Sequence, residues 1–349
     1  MAKTVIGLDI GSSAVRAVEL SVGGRGPATL DRVGQIALPH GAVHEGEVVD
    51  SDAVAVALRT LWSQFGFKGR KVAVGVANQQ VVVRLVDLPY LPEDELRQSL
   101  QFQVQELIPF PVDQAVLDFH VTEVYETEDG VRFTQLLLVA AQRAMLDGVL
   151  AALTKAKLQP VNLDLDAFAV LRSLAPAPAL DAEDGELLID VGHGVTNLMV
   201  HRAGVPRFVR ILLMGGGSLT DGLATALDLS LEEAEQAKLD PAWQDDGGAE
   251  VARLASESAD LLADEIRGSL DFYAAQTGAV PVRRAVLSGG AGQLHGLSDR
   301  LALTLGMPVD RGHPLQEVRI GKVHLAPEQL VDAEPQLAVA VGLAQGELA

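Results

Sequence analysis

Two short stretches hold the residue types that phosphate and cation chemistry needs. IGLDIGSSAVRAVEL covers residues 6–20, and LLIDVGHGVTNLMVH covers residues 187–201. Aligning Asp9 with Asp190 also aligns Gly11 with Gly192 and Leu8 with Ile189. Each stretch reads as an apolar strand, an Asp-x-Gly turn with small polar residues, and a second alternating strand. A carboxylate delivered at a strand end can hold the water shell of Mg²⁺. Glycine lets the backbone approach an oxyanion, and Ser12, Ser13 and Thr196 offer hydroxyl and N–H donors. A single copy is read equally well as a plain hairpin. Two copies, each opening a half of the chain, point to a duplicated domain with a shared cleft. His193 and Gly194 lie inside the second turn, where His193 either approaches a phosphate or stands by.

Three more stretches follow in order. Gly215-Gly216-Gly217-Ser218 comes after a strand and opens a helix, which is an anion-binding arrangement or simply a Ser N-cap with a flexible lead-in. EEAEQAK, residues 232–238, is a charged helix face on which Glu235 and Lys238, three apart, can meet one ligand; otherwise it is a solvated face. LSGGAGQL, residues 287–294, again ends a strand and starts a helix, with Gly289, Gly290 and Ala291 where a flat base or a phosphate can pack. Each is weak alone. Four such turns, after strands in both halves, describe a phosphate cleft, and no Gly-x-x-x-x-Gly-Lys-Ser/Thr loop is present to suggest P-loop chemistry.

The elements that must position these residues are mixed. Strands are expected near 4–10, 15–21, 71–76, 81–87, 115–124, 132–140, 187–191, 195–201, 206–211 and 284–288. Helices are expected near 51–65, 93–108, 143–156, 166–174, 217–228, 231–239, 249–277 and 293–305. That mixture is α/β. Ala175–Gly185, rich in Pro, Ala and acid, is the expected linker. The 349 residues suggest two domains, at roughly 150 residues each.

Composition narrows the function. With 27 Lys+Arg against 47 Asp+Glu, the net charge of −20 disfavours nucleic acid and anionic lipid as direct partners. The absence of cysteine excludes disulfides, thiolate metal sites and a Cys nucleophile. The eight histidines form no HxxxH or HExxH pair. The longest apolar runs, such as Leu136–Ala141, fall far short of the roughly 20 residues of a membrane span, and MAKTVIGLDIG is no signal peptide.

The order of these motifs resembles the actin/chaperone/sugar-kinase ATPase superfamily and, within it, the FtsA-like PilM family of type IV pilus assembly. The most specific stretch is Leu85–Leu174, which contains LVDLPYLPEDELRQSLQFQVQELIPFPVDQAVLDFHV; NLDLDAFAVLRSL from Asn162 and RGHPL from Arg311 add to it. The resemblance implies a duplicated actin-like fold, two RNase H-like domains flanking a nucleotide cleft, with an inserted subdomain. Domain I would comprise 1–84, 151–186 and 338–349, the insert 85–150, and domain II 187–337. It implies ATP and Mg²⁺ as ligands. Asp9, Gly11, Ser12 and Ser13 would form the first phosphate loop, and Asp190, Gly192, Gly194 and Thr196 the second, in which His193 stands where the family more often has a small residue. Asp9 and Asp190 would lie near the metal. Gly215 and Gly216 would approach the phosphate–ribose side, Glu235 and Lys238 would contact ribose or adenine, and Gly289, Gly290 and Ala291 would back the base. Asp164 or Asp166 would position water, in either of two helix registers, for at most slow hydrolysis.

The resemblance also implies a partner, the cytoplasmic N-terminal peptide of PilN, held in a groove between the first subdomain and the insert. Helix 93–108 and its Ile-Pro-Phe-Pro exit would form part of the wall, with Tyr90 and Phe110 reachable and Leu96, Leu100, Val104 and Leu107 buried against the insert's own sheet. Other cytoplasmic pilus components and further copies of the chain are additional expected contacts. FtsA ends in a basic amphipathic helix, whereas this chain has no Lys or Arg after Lys322. A cytoplasmic scaffold, peripheral at the inner membrane through its partner, is therefore expected ahead of an FtsA-like division protein or a small-molecule kinase of the superfamily.

Overall fold

The computed structural model describes residues 3–23, 26–175, 183–239 and 248–348, so residues 176–182 of the expected linker lie outside the described residues. The chain starts with β1 (Lys3–Ile10), β2 (Ala14–Val22) and β3 (Thr29–Ala37), followed by the short pair β4 (Val43–His44) and β5 (Glu47–Val48), then α1 (Ser51–Phe65) and β6 (Lys71–Val76). α1 begins where Asp50 accepts hydrogen bonds from the N–H groups of Asp52 and Ala53 at 3.0 and 2.9 Å, and it stops at Gly66, whose φ of 70° is left-handed. An excursion follows through β7 (Val81–Pro89), α2 (Glu93–Gln103), β8 (Ala115–Glu126) and β9 (Arg132–Gln142). The chain then returns through α3 (Ala144–Lys155), β10 (Gln159–Leu165) and α4 (Asp166–Leu174).

The second half repeats the plan with β11 (Gly185–Val191), β12 (Thr196–Arg202), β13 (Val205–Leu212), α5 (Gly216–Leu227), α6 (Leu231–Leu239), α7 (Ala249–Ala274), β14 (Val282–Ser288), α8 (Leu297–Leu305) and β15 (Val309–Arg311). The last elements are β16 (Arg319–Ile320), α9 (Pro327–Ala333) and α10 (Ala338–Gly346).

The duplication is visible in the sheets. The first sheet has the order β10-β6-β1-β2-β3-β16, the second β13-β12-β11-β14-β15. In both, the first three strands form an antiparallel meander, and two later strands add in parallel to the first. β1 and β11 sit mid-sheet and are covered on both faces, which is why they read as near-continuous apolar runs. Leu8 packs with α1 and α3 in one core, while α10 and α4 cover the opposite face. α4 joins the halves: Ala169 and Val170 share a core with Leu188, Met199 and Val286.

Residues 81–142 form their own three-stranded sheet, β7-β9-β8, on which Leu96, Leu100 and Val104 bury as expected and Leu107 packs partly buried. Val149, Ala152 and Leu153 of α3 belong to the first core, and Val81, Val83, Val139 and Ala141 at the base of the insert share a core with Val76, Met145, Leu146 and Leu165. α2 is shorter than the expected 93–108. The Val104 N–H still bonds Leu100 at 3.0 Å, but the Leu107 N–H turns back to Val104 at 2.9 Å, and Pro109 disfavours helical backbone at Ile108.

Candidate functional site

The two Asp-x-Gly turns are structurally equivalent. Asp9 pairs in register with Arg16 and Asp190 with Asn197, a spacing of seven in each (16 − 9 and 197 − 190). The Gly11 N–H donates to the Ala14 carbonyl at 3.0 Å, and the Gly192 N–H to the Val195 carbonyl at 2.9 Å. The turns face each other closely, since a Cβ on Gly194 would stand 2.7 Å from Ser12 Oγ. Both open onto a cavity of about 450 Å³ lined from the two halves, with Asp9, Ser13 and Arg16 on one side and Asp190, Gly192 and His193 on the other. Ser12 and Gly11 line a smaller recess next to it. Thr196 does not offer its hydroxyl to a ligand: it is fully buried and donates to the Met214 carbonyl at 2.8 Å.

Electrostatically the site is loaded with negative charge. Asp9 is 8% exposed and Asp190 7%. Burial raises the Asp9 carboxyl above its ordinary value, partly offset by Arg16 at 3.5 Å. Burial, with Asp9 adding to it, pushes Asp190 up to about 6 despite hydrogen bonds from Asn197 and Ser288. Asp166 is raised well above the carboxylate range by burial and by repulsion from Asp9, Asp190 and Asp164, and its Oδ1 has no hydrogen-bond partner. Such an arrangement stores like charge that a cation relieves. Among the described residues, no three His, Asp or Glu side chains form a self-sufficient metal cluster, so phosphate and water oxygens would have to complete the coordination. The buried acceptors, the carboxylate donors and the close-packed glycines fit Mg²⁺ with a phosphate-bearing ligand.

The two aspartates around β10 separate cleanly. Asp166 lines the recess with Asp9 and Asp190. Asp164 is ion-paired with Arg172 and accepts the Leu165 N–H at 2.8 Å, so its valence is used elsewhere. Opposite effects follow. Asp166→Asn removes a carboxylate whose ionised form is disfavoured in the folded state, so near neutral pH it should raise the unfolding midpoint of the nucleotide-free protein in chelator. Asp164→Asn removes the charge opposite half-buried Arg172, which keeps its bond to the Gly342 carbonyl at 2.8 Å, and should cost on the order of 1 kcal/mol. Paired thermal melts check both signs.

The glycines at the start of α5 act differently from a helix-dipole anion site. The Gly216 N–H donates to the Gly192 carbonyl at 3.0 Å and the Gly217 N–H to His193 at 2.7 Å, so these first-turn donors brace the second phosphate turn. A Cβ on Gly215 would meet the His193 carbonyl at 2.7 Å, and one on Gly217 the His193 ring at 2.8 Å. Gly216 lines the main cavity; Gly215 stands behind it. His193 lies in the cavity wall, its protonation disfavoured by burial and then by Lys238.

Glu235 and Lys238 do share a face and line the cavity. Lys238 Nζ donates to Glu235 at 2.6 Å, to Thr220 Oγ1 at 3.0 Å and to the Gly216 carbonyl at 3.2 Å. Burial works to raise Glu235, but its bonds from Lys238 and Thr220 outweigh this and hold the carboxyl low and ionised. Gly289, with φ at 88°, lies against the Val191 backbone, where a side chain has no room, and Gly290 and Ala291 present the flat wall beyond it.

Two site residues escaped sequence reasoning. Arg16 lines both cavities and bonds Gln35 at 2.9 Å, and Asn197 is its counterpart beside Asp190. The signal was present as a residue seven positions after each aspartate, which a two-residue turn places directly across the hairpin. On the insert, Tyr90 is 37% exposed under the Arg132 guanidinium, 3.9 Å from the ring centroid, while Phe110 packs partly buried on the insert's core.

Comparison with known proteins agrees with this geometry. The model of the family "Type IV pilus assembly protein PilM" matches residues 7–347. The chain is similar to one in a solved PilM-PilN type IV pilus biogenesis complex, with a TM-score of 0.86 and 29% identity over 99% of this chain and 98% of that one. It also has the fold of MreB5 of Spiroplasma citri bound to ADP, at a TM-score of 0.54 and 12% identity, covering 99% of this chain and 96% of that one. The cell division protein FtsA of Bacillus subtilis (strain 168) is 26% identical over 260 residues, 67% of this chain; the match spans only 57% of that relative's length. No helix among the described residues is long and apolar enough to cross a membrane. With a duplicated actin-like ATPase fold and a family match running almost from end to end, the chain belongs to the PilM family of type IV pilus assembly proteins.

Proposed function

We propose that this chain is an ATP-binding scaffold of the type IV pilus inner-membrane assembly platform, whose nucleotide state is coupled to capture of the cytoplasmic N-terminal peptide of a PilN partner. The observation that carries the nucleotide half is the convergence of Asp9, Asp166 and Asp190 on a cavity lined by both duplicated turns. The solved PilM-PilN complex supports the partner half.

Each residue then has a task. Asp9 and Asp190 would hold Mg²⁺ through its waters, and the cation would supply charge neutralisation at the phosphates. Arg16, anchored by Gln35 and Asp9, orients a phosphate from the first half. The Ser13 side of the first turn and the Gly192–His193 side of the second flank the phosphate chain. Glu235, held ionised, accepts from ribose hydroxyls, and Lys238 keeps it aimed. Gly290 and Ala291 back the base. Asp166, its carboxyl raised well above the ordinary value by burial and by repulsion from Asp9, Asp190 and Asp164, positions water for slow hydrolysis at most. Because ligand contacts come from both halves, ATP and ADP bias cleft closure by different amounts, which is the requirement for a switch.

The peptide lies in a groove between the first subdomain and the insert, with Tyr90 as a contact and Phe110 shaping the wall from within the insert. The protein sits in the cytoplasm, held peripherally at the inner membrane by this partner, and contacts other pilus components or further copies of itself. Calorimetric titration of ATP with and without Mg²⁺ tests the nucleotide half. Saturable, Mg²⁺-dependent binding is expected; heat no larger than dilution in both conditions would remove the cleft assignment.

A further inference from the structure

Two residues after Asp166, α4 carries Phe168, a ring that lines neither cavity. It packs partly buried against two cores at once. One is the core between the halves, with Leu188, Met199 and Val286 of the second half. The other lies under the insert, where Val83 of β7 and Val139 of β9 meet Leu146 and Leu165 of the first half. One side chain therefore touches the first half, the second half and the root of the insert.

The insert is attached in a way that lets it turn. The chain enters between β6 and β7 and leaves between β9 and α3, and the Gln142 N–H donates to the Gln80 carbonyl at 3.3 Å. Entry and exit thus form one narrow root. Beyond it the insert has its own core, around Leu96, Leu136 and Leu138. Its outer strand β7 lies against β13, the outer strand of the second half's sheet. The two strands belong to separate sheets, so side-chain packing rather than a backbone ladder joins them. A close-packed body held at one root and resting on a second body must turn when that second body moves, or lose its apolar contact.

We propose that Phe168 and the seam between β7 and β13 turn the insert about its root when the cleft closes. This rests on the nucleotide reading and supplies the route from cleft to peptide groove. The groove lies between the first subdomain and the insert, so a turn of the insert changes its width. Phe168 is a positioning residue, since it meets no ligand. α4 begins at Asp166 in the recess, so a shift of α4 at the nucleotide moves the ring in both cores. The path is a contiguous set of packed side chains with the cleft at one end and the insert at the other.

The chain has no cysteine, so introduced cysteines carry spin labels at chosen positions alone. Three exposed sites serve: Val56 on α1 in the first half, Phe102 on α2 in the insert and Leu303 on α8 in the second half. Proteins with paired substitutions among Val56→Cys, Phe102→Cys and Leu303→Cys are compared by pulsed electron spin resonance, with saturating Mg-ATP and without nucleotide. The distance between positions 56 and 303 reads closure. The distance between positions 56 and 102 reads the insert against its own half, and it should shift by several ångströms together with closure. Phe168→Leu keeps an apolar side chain in a folded protein. It should leave the closure shift in place and remove most of the insert's shift, which a merely structural phenylalanine would not do. Closure with the insert fixed on the first half overturns the proposal and leaves the nucleotide switch standing. An insert that shifts as far in Phe168→Leu as in the wild type overturns the role of Phe168. If neither distance responds, the cleft switch fails and the proposal fails with it.

Discussion

Asp190→Asn is expected to lower the affinity for Mg-ATP about a hundredfold near neutral pH, close to 3 kcal/mol, while the protein stays folded. The wild type should also show a steeper pH dependence than the variant, in which Asp9 and Asp166 remain to titrate. The Asp190 carboxyl is raised from 3.8 to about 6, first by burial and then by Asp9. A cation needs the ionised carboxylate, so wild-type affinity should fall as pH drops through about 6, and binding in that range should release protons. The folding equilibrium moves the opposite way. Between 3.8 and about 6 the folded state holds the proton that the unfolded state has released, so nucleotide-free stability declines as pH rises across that window. A little over two tenfold steps at about 1.4 kcal/mol each makes the decline about 3 kcal/mol. Asparagine cannot ionise and removes that decline, less the hydrogen bonds that Asn197 and Ser288 give the native carboxylate. Calorimetry in buffers of different ionisation heat, at several pH values, reads the affinity and the proton count together. A variant that binds like the wild type would dismiss Asp190 from the metal site.

Gly342→Ala should cost about 3 kcal/mol or more, the high end of overpacking, without touching any ligand residue. α10 crosses α4 so closely that a Cβ on Gly342 would lie within 2.8 Å of Ala169 Cα and closer still to its carbonyl. Across the same helix, a Cβ on Gly7 would meet the Ala344 nitrogen at 2.8 Å. Both obstacles are backbone, so relief requires α10 to move away from α4 and β1. α4 begins at Asp166, so the shift should weaken Mg-ATP binding as well as stability. Gly268→Ala is the contrast: it lies within α7 with nothing inside 4 Å, and it should gain about 0.5–1 kcal/mol from helix propensity. Urea unfolding of the three proteins measures both. Equal stability of Gly342→Ala and the wild type would mean that the α10–α4 contact is looser than its spacing.

What could be read in the sequence was local. Asp-x-Gly is a three-residue signal, and its recurrence at Asp190 carried the duplication, the cleft and the two carboxylates proposed for the metal. Arg16 and Asn197 depend on a cross-strand register that no run of residues displays. Gly215 and Gly216 matched an anion-binding pattern, yet tertiary packing gives the first N–H groups of α5 to the second turn. Asp164 and Asp166 straddle a strand-to-helix junction where period two gives way to period 3.6, so only the Arg172 ion pair distinguishes them. β3 was hidden because a bulge at Asp31 breaks the alternation between Leu30 and Val33. β10, an edge strand with Pro160, shows only the brief alternation Val161, Leu163, Leu165, and most of its residues are exposed.

Nucleotide in the cleft is proposed to set the affinity of the peptide groove. Titrating a labelled PilN-type N-terminal peptide into the purified protein with Mg-ATP, with Mg-ADP and without nucleotide tests it directly. Saturable binding whose affinity differs between the nucleotide states is expected, with a matching change in nucleotide affinity when the peptide is bound. The same peptide affinity in all three conditions would contradict it.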